Sequence, residues 1–220
     1  MKTKVRQLQA IVVSFVFVIG LVIATVIPAG ATYTQVQVEG WNVMSISIDY
    51  PDGTTRNVSA GEFTVSLFDD TLGWGDSQSA FCVDLNSGIS NTTYNIDSLL
   101  QPAPVSIAWL MDTYSPTSTT VAGAAVQSSI WASLYGDQFT LNGPTDVEEL
   151  YDIYMDELGS ASATINTGYL LNNYSVVNMG GVQNILVQSS SSAPVPEPTT
   201  MLLLGTGLLG LAGVRRKKMR

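Results

Sequence analysis

The sequence predicts an α+β fold, a mostly antiparallel β domain with a helical insertion, between two apolar terminal segments. Three observations support this prediction. The first half of the central region alternates apolar and polar residues with the period of a strand. The middle changes to the period of a helix, and the run from Tyr169 onward returns to strand-like patterns. The central region, 32–188, has the length of a single domain.

The predicted strands come first along the chain. A Pro-Asp-Gly turn at 51–53 separates alternating runs on either side, and AFCVDL at 80–85 is predicted to be another short strand. The apolar members of the alternating runs are Val36, Val38, Ile46, Ile48, Tyr50, Phe63, Val65 and Leu67.

Two helices are predicted next. APVSIAWLMDTY, at 103–114, has its apolar residues spaced for one side of a short helix. TTVAGAAVQSSIWASLYG, at 119–136, is predicted to be a longer helix with Gly136 as its C-cap. Its predicted buried face consists of Ala122, Val126, Ile130 and Leu134.

A third helix is predicted for TDVEELYDIYMDELG. Thr145 or Asp146 is a suitable N-cap, acidic residues occupy the first turn, and Gly159 is the predicted end. From Tyr169, YLLNNYSVVNMGGVQNILVQ predicts strands again, which completes the α+β assembly.

The N-terminus has the layout of a signal peptide. Three basic residues within the first six positions precede an apolar run at 10–27, and Ala29 and Ala31 have the spacing that a signal peptidase accepts. We expect cleavage after Ala31, so that 1–31 is removed. The alternative is an uncleaved anchor, because about 18 apolar residues can just span a bilayer.

The C-terminus has the layout of a sorting signal. A Ser/Pro linker at 189–198 ends in Pro196, Glu197 and Pro198, and an apolar stretch with a basic tail follows at 199–220. This order of parts resembles the PEP-CTERM sorting signal of Gram-negative bacteria. The resemblance implies processing near the Pro-Glu-Pro motif by an exosortase-type protease. It also implies passage through the inner membrane and delivery to the cell surface or the exopolysaccharide matrix.

The alternative for this end is an ordinary transmembrane helix. The apolar stretch, 201–214, is shorter than the roughly 20 residues that such a helix needs, and it contains four glycines. The sequence therefore favours a sorting helix that stays in the membrane during processing.

The exported part is strongly acidic. Of the 9 Lys+Arg residues, three precede Ala31 and five follow Val214, which leaves Arg56 alone, whereas all 18 Asp+Glu residues lie between Glu39 and Glu197. This part has no lysine, and the chain has no histidine. Binding to nucleic acid is therefore not expected, because it requires a basic surface.

The composition also limits catalysis. Without histidine there is no Ser-His-Asp or Cys-His nucleophile, and one cysteine excludes a zinc site built from Cys and His. We expect no cofactor and no enzymatic activity. The adjacent acids Asp69 with Asp70 and Glu148 with Glu149 leave a secreted hydrolase as an alternative.

Cys82 is the single cysteine of an exported chain. It could form an intermolecular disulfide, remain an inert buried thiol, or be consumed in another bond. FCVDL around Cys82 and VQSSIW around Gln127 resemble the paired motifs of bacterial thioester domains, in which a strand-borne Cys and a helix-borne Gln condense with loss of ammonia. The resemblance covers about 63–136.

The resemblance implies a thioester between Cys82 and Gln127, formed by attack of a Cys82 thiolate on the Gln127 side chain. An amine of a partner would open this bond and leave a covalent amide, with Phe81, Trp109 and Trp131 shielding it from water. It implies an adhesin-like protein that attaches to an amine-bearing surface ligand or to exopolysaccharide in a biofilm. The alternatives are a non-covalent structural matrix protein and the secreted hydrolase.

Overall fold

The structure is a computed structural model that describes residues 33–50, 52–85, 87–97 and 100–189. The predicted signal peptide, the Pro196–Pro198 motif and the predicted sorting helix lie outside the described residues. Within the described residues, no helix is long and apolar enough to cross a membrane.

The described residues form an α+β fold, mostly antiparallel sheet with helices inserted between strands, as predicted. The first strands are β1 (Tyr33–Asp49), β2 (Thr55–Asp69), β3 (Gly73–Trp74), β4 (Gln78–Cys82), β5 (Thr93–Asn95) and β6 (Gln101–Pro102). The helices α1 (Val105–Tyr114) and α2 (Thr120–Tyr135), strand β7 (Thr140–Asn142), and helices α3 (Thr145–Ala161) and α4 (Thr167–Asn173) follow. The last strands are β8 (Tyr174–Val177) and β9 (Ile185–Gln188).

The strands pair into one antiparallel sheet in the order β5-β1-β2-β4-β9-β8-β6, with β3 beside β2 and β7 beside β1. The long β1–β2 hairpin contains a β-bulge between Val38 and Gly40. An extra residue in one strand reverses the side-chain alternation. Val36 and Val38 therefore belong to a different hydrophobic cluster from Ile46 and Ile48.

The helices cover one face of the sheet. Phe81 of β4 and Leu186 of β9 pack there against α1 and α2, together with Ile107, Val126 and other buried residues. The neighbouring residues Ala80 and Val187 belong to the cluster on the opposite face, as strand alternation requires. Both faces of the strand pair that carries Cys82 are therefore buried.

Helix α2 differs from the prediction of a single buried face. Every residue from Gly123 to Ala132 is buried, while Ala122 and Leu134 are only half-buried. The helix packs against β1 and β2 on one side and against α1 and α3 on the other, so its middle contacts protein all round. Gly136 does occupy the C-cap, with φ +55°.

Three other local predictions, in two segments, were wrong. Helix α3 continues past Gly159 to Ala161, and its N-cap is Pro144. The run from Tyr169 begins as helix α4, because the Asn166 side chain accepts a hydrogen bond from the Tyr169 N–H and caps a short helix ahead of β8.

Candidate functional site

Cys82 and Gln127 are in direct contact. Cys82 is the last residue of β4, and Gln127 lies in the middle of α2 with its side chain 1% exposed. The backbone N–H of Cys82 donates to Oε1 of Gln127 at 2.8 Å, and Nε2 of Gln127 donates to the carbonyl of Cys82 at 2.7 Å. The carboxamide carbon of Gln127 is bonded to both Oε1 and Nε2, so it lies beside the Cys82 residue.

The sheet explains why Gln127 pairs with backbone groups. Strand β4 pairs with β9 as far as Cys82, but its pairing with β2 ends at Ala80. The N–H and C=O of Cys82 would therefore lack sheet partners on the β2 side, and a buried backbone group without a partner is costly. The Gln127 side chain supplies both a donor and an acceptor, in place of a neighbouring strand.

The absence of a side chain at Gly123 brings α2 close to the sheet. A Cβ at Gly123 would lie 3.2 Å from the backbone nitrogen of Glu62 and 3.3 Å from the carbonyl oxygen of Asn42. Gly123 and Gln127 are four residues apart and so lie on the same face of the helix. The close approach at Gly123 positions Gln127 over the end of β4.

Glu62 holds the segment that precedes α2. Its buried carboxylate accepts hydrogen bonds from Ser115 Oγ at 3.1 Å, from the Thr117 N–H at 2.5 Å, and from the hydroxyls of Thr117 and Ser79. Because Glu62 is on β2 and Ser79 is on β4, one carboxylate connects both strands to the start of α2.

A cavity of about 490 Å³ opens beside Cys82. Asp84, two residues after Cys82, lines it too, and its Oδ2 accepts the N–H of Asn184 at 2.8 Å. Aromatic rings form much of the remaining wall, including Trp41, Tyr50, Phe63 and Trp131. The cavity therefore combines these aromatic groups with the Asp84 carboxylate and the Cys82 residue.

Arg56 also lines the cavity and is the only Lys or Arg among the described residues. Its guanidinium is paired with Asp52 at 2.8 Å and lies over the Tyr50 ring, 4.3 Å from the ring centroid. The hydroxyl of Tyr50 donates to the Leu85 carbonyl at 2.6 Å. These polar groups of the wall already have partners.

The electrostatics differ from the expectation of a thiolate at Cys82. Burial, and then the charge of Asp84, raise the pKa of the Cys82 thiol to about 12. The side chain is half-buried, since part of it faces the cavity. At neutral pH Cys82 is therefore a protonated thiol, and its reaction requires a group that takes the proton.

The arrangement provides one further element for acyl chemistry. Attack by Sγ of Cys82 on the Gln127 carbonyl carbon would place negative charge on Oε1. The Cys82 N–H already donates to that atom at 2.8 Å. A donor that is in place before the charge develops stabilises the transition state without reorganisation.

The predicted shielding residues are only partly at this site. Trp131 lines the cavity and contacts Phe139, with ring centroids 6.2 Å apart. Phe81 is fully buried in the core. Trp109 packs on Tyr114 in the cluster beneath α1 and does not line the cavity.

One acid of each pair proposed for a hydrolase has a local structural partner. Asp69 accepts the N–H groups of Thr71 and Leu72 in the turn after β2. Glu148 accepts the Gly143 N–H at 3.1 Å at the start of α3. Neither residue lines the cavity beside Cys82.

Sequence reasoning did not identify Asp84, Trp41 and Tyr50 as site residues. Asp84 is detectable in the sequence, because a residue two positions from Cys82 in an extended segment lies on the same side. Trp41 and Tyr50 lie on and just after β1, far from Cys82 in sequence, and only the pairing register places them there.

Residues 194–217 match the family model described as the PEP-CTERM protein-sorting motif. The match confirms the predicted motif, which contains Pro196, Glu197 and Pro198, and lies outside the described residues. No curated protein and no solved structure matches the chain. The PEP-CTERM motif indicates an exported protein that is sorted through an exosortase and passes the membrane toward the cell surface.

Proposed function

We propose that the exported domain attaches covalently to an amine-bearing ligand through an internal thioester between Cys82 and Gln127. One observation carries the proposal: the Gln127 carboxamide is held against Cys82 by two hydrogen bonds of 2.8 and 2.7 Å. The two hydrogen bonds hold the carboxamide against the residue that carries Sγ, so the reacting groups are already brought together on neighbouring atoms of the fold.

The condensation is balanced by the loss of ammonia. Sγ of Cys82 bonds to the carbonyl carbon of Gln127, the C–N bond breaks, and the thiol proton leaves with the nitrogen as NH₃. A ligand amine then attacks the same carbon and forms an amide, and Cys82 is released as a thiol. Each molecule reacts once, so the protein acts as an adhesin-like attachment device rather than an enzyme.

The composition suits a stored acyl group. The predicted exported part has no lysine, so no ε-amine of the same domain can consume the thioester. Gln127 lies within the fully buried middle of α2, which limits access of water to the acyl carbon. Delivery to the cell surface or matrix of a Gram-negative bacterium brings the bond to ligands such as exopolysaccharide amines or surface proteins.

A non-covalent structural protein of the biofilm matrix is the second candidate. It is favoured by the observation that the Gln127 amide satisfies the Cys82 backbone completely as it stands. In that case Gln127 replaces a strand, and the reactive bond is never made.

Amine labelling distinguishes the two candidates. The secreted domain is incubated with a biotinylated primary amine under denaturant-free conditions, alongside Cys82→Ala and Gln127→Ala. The covalent function predicts labelling of the wild type and none of either variant. Equal labelling of the wild type and both variants would contradict it, and absence of labelling in all three would favour the structural candidate.

A further inference from the structure

Opening of the proposed thioester requires a proton to move. When an amine attacks, its nitrogen bonds to the acyl carbon and the C–S bond breaks. One proton must then pass from that nitrogen to Sγ of Cys82. Under the proposed function, a group of the protein beside Cys82 must therefore carry this proton.

We propose that the Asp84 carboxylate takes the proton from the attacking amine and delivers it to Sγ of Cys82. Asp84 and Cys82 line the same cavity and are two residues apart in an extended segment that continues β4. The cavity is the approach route for a ligand to the Cys82 side. Gln127 itself does not line the cavity, so an amine that arrives there reaches the acyl carbon from the Cys82 side, where that carbon is bonded to Sγ in the thioester.

The chemistry of the leaving group explains why such a carrier is needed. Burial, followed by the charge of Asp84, raises the pKa of Cys82 to about 12. A thiol with this pKa is a poor leaving group as a thiolate and is best expelled already protonated.

The other ionisable side chains that line the cavity, apart from Cys82, are less suited to this role. Arg56 is paired with Asp52 and has no proton to exchange at neutral pH. Tyr50 donates its hydroxyl proton to the Leu85 carbonyl, and burial raises its pKa. Asp84 uses Oδ2 for the Asn184 N–H, but a carboxylate can accept about four hydrogen bonds and retains capacity for the amine.

The same route serves formation of the bond. The neutral Cys82 thiol must lose its proton as Sγ attacks Gln127, and the departing nitrogen must gain one. Asp84 can carry that proton between the same two positions. Its loss should therefore slow both formation and opening of the thioester.

The test is chemical rescue of the opening step. The rate of methylamine incorporation is measured by intact mass for wild type, Asp84→Asn and Asp84→Ala, with and without sodium formate. Asp84→Asn keeps an oxygen that can accept the Asn184 N–H, so it controls for the structural role of the side chain. Asp137→Ala, at an exposed aspartate outside the cavity lining, is the matched control.

We expect both Asp84 variants to lose about 100-fold in rate, since general acid–base groups typically contribute that much or more. Formate should restore the rate of Asp84→Ala in a saturable way and leave wild type and Asp137→Ala unchanged. A rate within about twofold of wild type, or a loss that formate does not restore, would overturn the assignment.

The design separates this inference from the proposed function. If the wild type has no thioester by mass, the proposed function fails before Asp84 is tested. If only Asp84→Ala is isolated without the thioester, the formate comparison is made on bond formation instead. Restoration by formate then supports the proton route, and its absence contradicts it.

Discussion

The side-chain amide of Gln127 makes hydrogen bonds to both backbone polar groups of one residue, Cys82. The contact places a helix side chain where the sheet would otherwise continue, because β2 stops pairing with β4 before Cys82. The two residues are thus held together by hydrogen bonds that the fold requires for the Cys82 backbone. A reactive bond between them would form at a contact that already exists.

Removal of the cross-link should cost stability. A thioester between positions 45 apart in sequence closes a loop for which the chain-entropy relation gives about 4 kcal/mol. We expect Cys82→Ala to lower the free energy of unfolding in urea by about that amount. Opening the wild type with methylamine should lower it to a similar level. A loss of only about 1 kcal/mol in Cys82→Ala, as for an ordinary core substitution, would contradict the cross-link.

Gly123→Ala should separate Gln127 from Cys82. The new methyl group would press on Glu62 and Asn42 backbone atoms at 3.2–3.3 Å, and overpacking of this kind typically costs about 1–3 kcal/mol. We expect lower stability together with a lower fraction of thioester, read by thermal unfolding and intact mass.

Gly159→Ala is the matched control for that substitution. Gly159 is exposed near the end of α3, and a Cβ there would meet nothing within 4 Å. Replacement of a helical glycine by alanine should raise the free energy of unfolding by about 0.5–1 kcal/mol. Stabilisation of Gly123→Ala to the same extent would show that the close approach of α2 is unimportant.

Glu62→Gln should weaken the connection between the sheet and the start of α2. The glutamine amide cannot accept all the hydrogen bonds that Ser79, Ser115 and Thr117 donate to the carboxylate. Hydrogen bonds to a charged group contribute about 1.5–3 kcal/mol each, so we expect a loss of about 3 kcal/mol in urea unfolding. Glu149→Gln, at an exposed position of α3, should change stability by less than about 0.5 kcal/mol.

The Cys82 thiol should react slowly once the thioester has been opened. A pKa of about 12, against an ordinary thiol pKa of 9.0, implies a thiolate fraction about a thousandfold lower at neutral pH. Alkylation of Cys82 by iodoacetamide should accelerate as the pH rises past 9 and toward 12, because the thiol stays protonated and unreactive below its pKa.

The unfolded protein provides the control for this profile. In urea the alkylation rate should stop rising once the pH exceeds the ordinary thiol pKa. Identical pH profiles of alkylation for folded and unfolded protein would show that burial does not change the pKa of the Cys82 thiol. Since ionisation is easier in the unfolded chain, the same shift predicts that stability falls as the pH rises above about 9.

Local sequence patterns predicted the α+β class, the early strands and the two helices before Gly136. They also paired Cys82 with Gln127 through a resemblance of short motifs. The all-round burial of α2 could not be predicted from its own periodicity, because it depends on α1 and α3 packing over it. A short helix at Tyr169 was missed because its cap, Asn166, precedes an apolar run that also suits a strand.

The cavity was the least predictable feature. Its wall combines Trp41 from β1, Phe63 from β2 and Trp131 from α2. Their proximity depends on strand register and on the approach of α2 at Gly123, and neither leaves a signal in a single sequence. The protonated state of Cys82 depends in turn on that burial, which explains why a thiolate was the natural expectation.

The most direct test is the intact mass of the secreted domain, purified without reducing agent near neutral pH, before and after methylamine treatment. We expect a mass lower by one ammonia than the mass calculated from the sequence, and a rise by the mass of one methylamine on treatment. A mass equal to the sequence, unchanged by methylamine and with Cys82 open to alkylation after unfolding, would contradict the thioester.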